Sequence, residues 1–276
     1  TGELAPSTAQ AGFATVQKVL KWLHENEKIL SHPGKEIKSI KIATKDKART
    51  NTFTPEQVLA VMNADFHPKL DFPIKAYFLF AKETGARIGE ILHLEWGDIV
   101  NGIWYIKSKP KCPTRLGKGW SPKWGKERPI VLTPAALGVL EMLPKVSSVG
   151  YIKGEDSPVP ANFVFVVKDR KVEGGFRRVD DIDRSWQGLM KAAGLPDTGP
   201  EAFVRHDLRR TCNEEKKRQG ISDEQRAKEL GHSVKVNLSN YTGEFNPELE
   251  KMFAIFRSSQ GENLLKKKKK EASNEK

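Results

Sequence analysis

Residues 204–241 read VRHDLRRTCNEEKKRQGISDEQRAKELGHSVKVNLSNY and hold His206, Arg209, His232 and Tyr241. A hydroxyl that attacks a phosphodiester must shed its proton, while charge gathering on the non-bridging oxygens must meet fixed donors. Tyrosine, histidine and arginine supply those roles. Each also has an ordinary explanation: a histidine beside a glycine more often caps a helix or lies on the surface than catalyses. Tyr77 and Tyr105 sit inside apolar runs, as core or half-buried strand residues do. Tyr241 differs, because Ser239, Asn240, Thr242 and Gly243 give its ring little apolar company.

Short helices must position these groups. One is expected from about His206 toward Gln219, ending at Gly220, a residue that tolerates the left-handed conformation common just past a helix end. His206 and Arg209, three apart, then share a face. Ser222 caps a second helix, Gln225 completes a capping box, and Gly231 closes it. His232 follows at that helix end, and Tyr241 lies within reach of one more short segment.

Taken in order and at these spacings, the motifs resemble those of the tyrosine recombinases, or phage integrases. His206-Asp-Leu-Arg209 resembles their HxxR box, Leu230-Gly231-His232 their LGH box, and Tyr241 stands at the place of their nucleophile. Upstream, Thr84-Gly85-Ala86-Arg87-Ile88-Gly89-Glu90 resembles the first arginine box, with Glu90 as its acidic companion. An arginine opening an apolar helix is poorly placed as a solvated charge, whereas its planar fork matches two phosphate oxygens. A salt bridge from Arg87 to Glu90 is compatible with that role.

Residues 101–107 and 128–132 read as two strands pairing across an irregular insert rich in proline and glycine. The resemblance implies a general-acid lysine on this hairpin. Lys109, just after the first strand, is the expected residue, with Lys118 and Lys126 as alternatives because the loop is longer than the common version. It also implies DNA contacts from Lys107, Lys111, Lys118, Lys126, Arg128, Arg205 and Arg210.

The whole chain agrees with a polyanionic partner. A formal net charge of +12 favours phosphates, since lysine and arginine that neutralise them release condensed counterions. Thirty per cent charged and 38% hydrophobic residues fit a globular chain with a real core, and no apolar run approaches a membrane span. Two cysteines, Cys112 and Cys212, are too few for a disulfide framework and lack metal-ligand spacing. A reducing cytoplasm is the natural setting, and no metal or cofactor is expected. The resemblance implies a bacterial or phage-encoded, nucleoid-associated protein.

Phe13, Val16, Leu20 and Leu23 mark an amphipathic helix over residues 7–30. The chain starts without Met, and residues 1–45 resemble the end of a core-binding, SAM-like DNA-binding domain with its basic linker. Thr54, Pro55 and Gln57 open the first helix of the next domain, expected over residues 52–260. A buried helix follows from Pro73 to Gly85, another starts at Thr133-Pro134, and a third spans residues 180–193. Leu249, Met252, Phe253 and Phe256 form an apolar stripe after Pro247. By resemblance this segment docks on a neighbouring protomer, within a tetrameric synapse on double-stranded attachment sites. Residues 261–276 form a basic tail with a five-lysine run, expected to be disordered.

The fold expected is mainly α with a small β-sheet or hairpin, built as a tyrosine recombinase catalytic core. The activity implied is site-specific cleavage and rejoining of DNA through a 3′-phosphotyrosine. A type IB-like topoisomerase and a non-cutting DNA-binding regulator on the same scaffold remain the alternatives.

Overall fold

The computed structural model describes residues 6–35, 51–68, 71–114, 117–152, 157–171, 174–199 and 201–231. The chain divides into two compact units, Thr1–Arg49 and Thr50–Lys276. In the first, α1 (Pro6–Glu25) is shorter than its apolar pattern suggests. A turn follows in which Gln17 donates to Gly34 O at 2.9 Å, so residues 26–35 fold back beside the helix rather than extend it. Val16, Val19 and Trp22 are exposed.

In the second unit the core is laid around α3 (Ile74–Thr84), which buries Ile74, Tyr77, Phe78, Phe80, Ala81 and Thr84. Helix α2 (Pro55–Asn63) precedes it, with Thr54 and Gln57 forming the reciprocal capping box their spacing calls for. Phe53 packs edge-on against Phe78 at 5.1 Å and lies 4.4 Å from Phe203, and its N–H donates to Thr211 Oγ1 at 2.9 Å. The start of this unit is thereby tied to the helix that carries the HxxR box. Helices α4 (Ile88–Leu92), α5 (Pro134–Met142), α6 (Asp183–Ala192), α7 (Arg205–Arg218) and α8 (Asp223–Leu230) follow among the described residues.

Three small sheets accompany the helices. Strands β1 (Ile99–Val100), β2 (Ile103–Ile106) and β5 (Arg128–Val131) form an antiparallel sheet in the order β1-β2-β5. Asn101 and Gly102 belong to the β1–β2 turn, not to the strand as expected. Both have positive φ, the requirement that makes Asn-Gly a hairpin dipeptide. Trp104 pairs with Ile130 and Ile106 with Arg128, and alternation turns all four toward the interior.

The insert between β2 and β5 is itself a hairpin, β3 (Lys109–Thr114) and β4 (Gly117–Trp120), with a register irregularity between Lys109 and Pro113. Proline and glycine hid it, because a proline inside a run argues against a central strand. A four-stranded sheet follows in the order β7-β6-β9-β8, from β6 (Ser148–Gly150), β7 (Val159–Ala161), β8 (Val166–Lys168) and β9 (Phe176–Arg178). Of these, only the region of β8 is foreshadowed by an apolar run. No helix among the described residues is long and apolar enough to cross a membrane.

His93, at the end of α4, stacks on Trp120 of β4 with ring centroids 4.9 Å apart, and its Nδ1 lies 2.6 Å from Gly89 O. Burial, followed by the positive charge of Arg178, pushes its pKa down to about 4, against the pull of the Gly89 carbonyl. An unfolded histidine titrates near 6.5, so in the window between these values the unfolded chain binds a proton that the folded chain refuses. The stability concerned is present above the window and is lost as pH falls through it. Urea unfolding should show a loss of about 1–2 kcal/mol from this residue between about pH 7 and about pH 5. His93→Phe should remove that part of the pH dependence; an unchanged slope would show that the ring titrates normally.

Candidate active site

The site forms where the C-terminal end of α8 meets the turn between α3 and α4. The last carbonyls of a helix have no partner inside it and carry negative partial charge. Here three successive ones each receive an arginine. Arg128 Nε donates to Glu229 O at 2.7 Å, Arg209 to Leu230 O, and an Arg87 terminal nitrogen to Gly231 O at 3.1 Å. The three side chains come from β5, α7 and the N-cap of α4, so distant stretches converge on one helix end.

Two glycines make the convergence possible. Gly85, at φ +61°, ends α3, and a Cβ there would come within 2.6 Å of Leu230 Cδ2 and 2.9 Å of Cys212 Sγ. Gly231, at φ +66°, takes the left-handed position past α8, pressed against the Arg128 guanidinium. Side chains at these positions would separate α8 from the arginines.

Glu90 lies between two of the arginines, 2% exposed. It accepts from the Arg87 guanidinium at 3.0 Å and the Arg87 N–H at 2.8 Å. It also takes a fork from Arg128 at 2.9 and 2.8 Å. Burial opposes its ionisation, but the hydrogen bonds and charge of Arg128, the Arg87 N–H and the charge of Arg209 outweigh it, leaving the pKa below its ordinary value. Arg87 is therefore held by both terminal nitrogens while its side chain remains 21% exposed. Arg209 is 1% exposed and also donates to Gly85 O at 2.6 Å.

His206 sits on the first turn of α7. Crowding by neighbouring atoms, then the charges of Arg209, Arg210, Arg87 and Lys123, depress its pKa to about 4. The residue as a whole is exposed, so water weakens both effects, but every charge named acts in the same direction. The imidazole is neutral at neutral pH and can accept a proton.

The family model described as Phage integrase family matches residues 51–246. The chain belongs to the phage integrase family. It is a tyrosine-type site-specific recombinase. Solved structures resemble it at low identity. The integrase of transposon Tn1549, in complex with a circular intermediate DNA, aligns at 17% identity and a TM-score of 0.63, over 92% of this chain and 80% of that one. A lambda integrase dimer bound to a COC' core site aligns at 17% and 0.57, over 87% of this chain and 76% of that one. A lambda integrase tetramer bound to a Holliday junction aligns at 17% and 0.57, over 87% of this chain and 61% of that one. No curated protein sequence matches the chain.

Of the residues expected in the site, this phage integrase brings together Arg87, Glu90, His206 and Arg209. His232 and Tyr241 lie outside the described residues, as do the apolar stripe after Pro247 and the lysine tail. Lys109 is held elsewhere. Its amine donates to His93 O at 2.6 Å, to Glu95 at 2.9 Å and to Asp98, with the side chain 11% exposed. Lys123, exposed and absent from the residues expected in the site, is among the groups whose positive charge lowers the His206 pKa. Its signal is its place in the loop leading directly into β5.

The expected DNA contacts divide. Lys107, Lys111 and Lys126 are exposed, and the side chain of Lys118 is not described. Arg205 pairs with Asp181 and Asp183, and Arg210 with Asp207. Arg128 departs from expectation: it is buried, with its fork on Glu90. The alternation of β5 puts it on the inward face, where a charge must find a partner. It supports Arg87 from behind.

Glu90→Gln keeps the shape and removes the charge between the two arginines. Breaking a buried pair by removing one partner costs about 3–5 kcal/mol. Urea unfolding should show a loss of that order, and a change below about 0.5 kcal/mol would mean that Glu90 does not hold the arginines together.

Proposed function

We propose that the chain cuts and rejoins DNA strands through a 3′-phosphotyrosine formed by Tyr241. The observation that carries this reading is the convergence of Arg87 and Arg209 on the carbonyls of Leu230 and Gly231, the residues directly before His232. Donors fixed in advance stabilise developing charge at no reorganisation cost when the reaction occurs. In the proposed step the Tyr241 oxygen bonds to phosphorus and the 5′-oxygen leaves. The non-bridging oxygens are met by Arg87, Arg209 and His232. His206 orients the phosphate or takes the tyrosine proton, and a lysine protonates the leaving oxygen. Guanidinium and imidazole groups supply the positive charge that the step needs.

We assign the protonating role to Lys123 in preference to Lys109. Lys109 already directs its amine at three acceptors in a nearly closed site, whereas Lys123 is exposed and electrostatically coupled to His206. The circular intermediate DNA of the Tn1549 integrase complex and the COC' core site of the lambda integrase complex support DNA as the substrate. The lambda integrase tetramer supports assembly on DNA, and here the segment after Pro247 would dock on a neighbouring protomer. The first unit, with its basic linker, would be the end of a core-binding domain that tracks the DNA backbone.

Tyr241→Phe should bind DNA with unchanged affinity and form no adduct stable in a denaturing gel, because only the hydroxyl is lost. A persisting adduct would move the nucleophile elsewhere. The lysine assignment has its own readout. Lys123→Ala should slow cleavage of ordinary DNA by roughly 10²–10⁴-fold and recover when sulfur replaces the bridging 5′-oxygen, since a thiolate leaves without a proton. Lys109→Ala should gain nothing from sulfur. Rescue of Lys109→Ala alone would return the role to that residue.

A further inference from the structure

Between β4 and β5 the chain makes a turn whose chemistry contradicts its residue. Trp124 lies at φ 63°, ψ 21°, and Gly125 follows at φ 63°. Lys126 N–H donates to Lys123 O at 3.5 Å, closing the turn around this pair. Two successive left-handed residues are the geometry for which Asn-Gly or Gly-Gly is preferred, because a side chain larger than Asn crowds its own backbone there. Tryptophan stands in the first of these places. The ring is also 83% exposed, so folding gains no burial from it. A strained backbone carrying a large unburied ring contributes little to the fold and is the kind of outlier that points to function.

The surroundings are cationic and close to the site. Lys123 Nζ lies 5.8 Å from the indole centroid, and Lys126, two residues after the ring, is exposed. Arg128 lies four positions after Trp124, a span of at most about 14 Å. Lys126 and Arg128 share with Gly231 a groove of about 520 Å³ at the end of α8. An exposed indole between two lysines offers a base a π-face and the adjoining phosphates two charges, the combination by which single-stranded or unstacked nucleotides are held.

Resting on the functional reading above, we propose that Trp124 stacks on a nucleobase next to the cleaved phosphate and so positions that phosphate among the arginines. The turn displays the ring, Lys126 holds the flanking backbone while Lys123 keeps its place at the leaving oxygen, and the unstacked base covers the exposed indole.

The test begins with covalent capture of duplexes from a random-sequence pool by the wild-type protein. Failure to capture any would overturn the functional reading itself, and this proposal with it. On a captured duplex, Trp124→Ala should lower the rate of adduct formation roughly tenfold to a hundredfold, and Trp124→Phe should keep most of it. Trp124→Gly suits the left-handed backbone and keeps the turn intact, so an equal loss in that variant assigns the effect to the ring. Replacing each base near the cut in turn by an abasic site should reveal one position at which wild type and Trp124→Ala become equally slow. Rates within twofold of wild type for Trp124→Ala and Trp124→Gly would overturn the proposal. So would normal single-site cleavage combined with loss of complexes on two-site DNA, which would place the ring against a second copy of the chain.

Discussion

The positive end of this site is held in place by the negative end of a helix. Carbonyls of Glu229, Leu230 and Gly231 at the close of α8 accept from Arg128, Arg209 and Arg87, and Glu90 sits buried among the guanidinium groups. Neither half is stable alone. Arginines gathered without anionic partners repel one another, and buried helix-end carbonyls without donors cost free energy. Bringing the two together satisfies both and fixes the guanidinium planes before any substrate arrives. The remaining architecture follows: α3 and Gly85 seat Arg87, α7 aims Arg209, and β5 turns Arg128 inward.

Burial separates the arginines by task. Arg128 is closed off with its fork on Glu90, whereas Arg87 keeps part of its fork at the surface. A guanidinium suits this division because its several N–H groups can hold a protein partner with some and meet a phosphate with others. Lys109, by contrast, directs all three ammonium N–H groups at Glu95, Asp98 and the His93 carbonyl, and so joins the end of α4 to β3.

Local signals carried most of the helical frame. Thr54 with Gln57, Ser222, and Gly85, Gly220 and Gly231 each encode a helix end within a few residues, and the structure places ends there, although the box expected at Ser222 forms only by half because the Gln225 side chain turns to Glu229. The Arg87–Glu90 pair was equally legible, since its spacing puts both groups on one turn. The β3–β4 hairpin and most of the four-stranded sheet were not. Their strands are short and contain proline and glycine, residues that argue locally against a strand even where the pairing partner lies close along the chain. The surroundings of Lys109 and Arg128 were illegible for another reason. Which of many basic residues faces a carboxylate and which faces solvent depends on register across sheets, and one step of register exchanges the two faces.

The electrostatics of His206 show how the arrangement depends on its substrate. Arg87, Arg209, Arg210 and Lys123 all act to keep the proton off this imidazole. A phosphodiester brought among them would contribute negative charge to the same cluster and reverse part of that repulsion, raising the affinity of His206 for a proton. The group would then be a poor base before the phosphate is in place and a better one once it is. On the function proposed above, cations assembled for charge stabilisation would therefore also couple proton transfer to occupancy of the site.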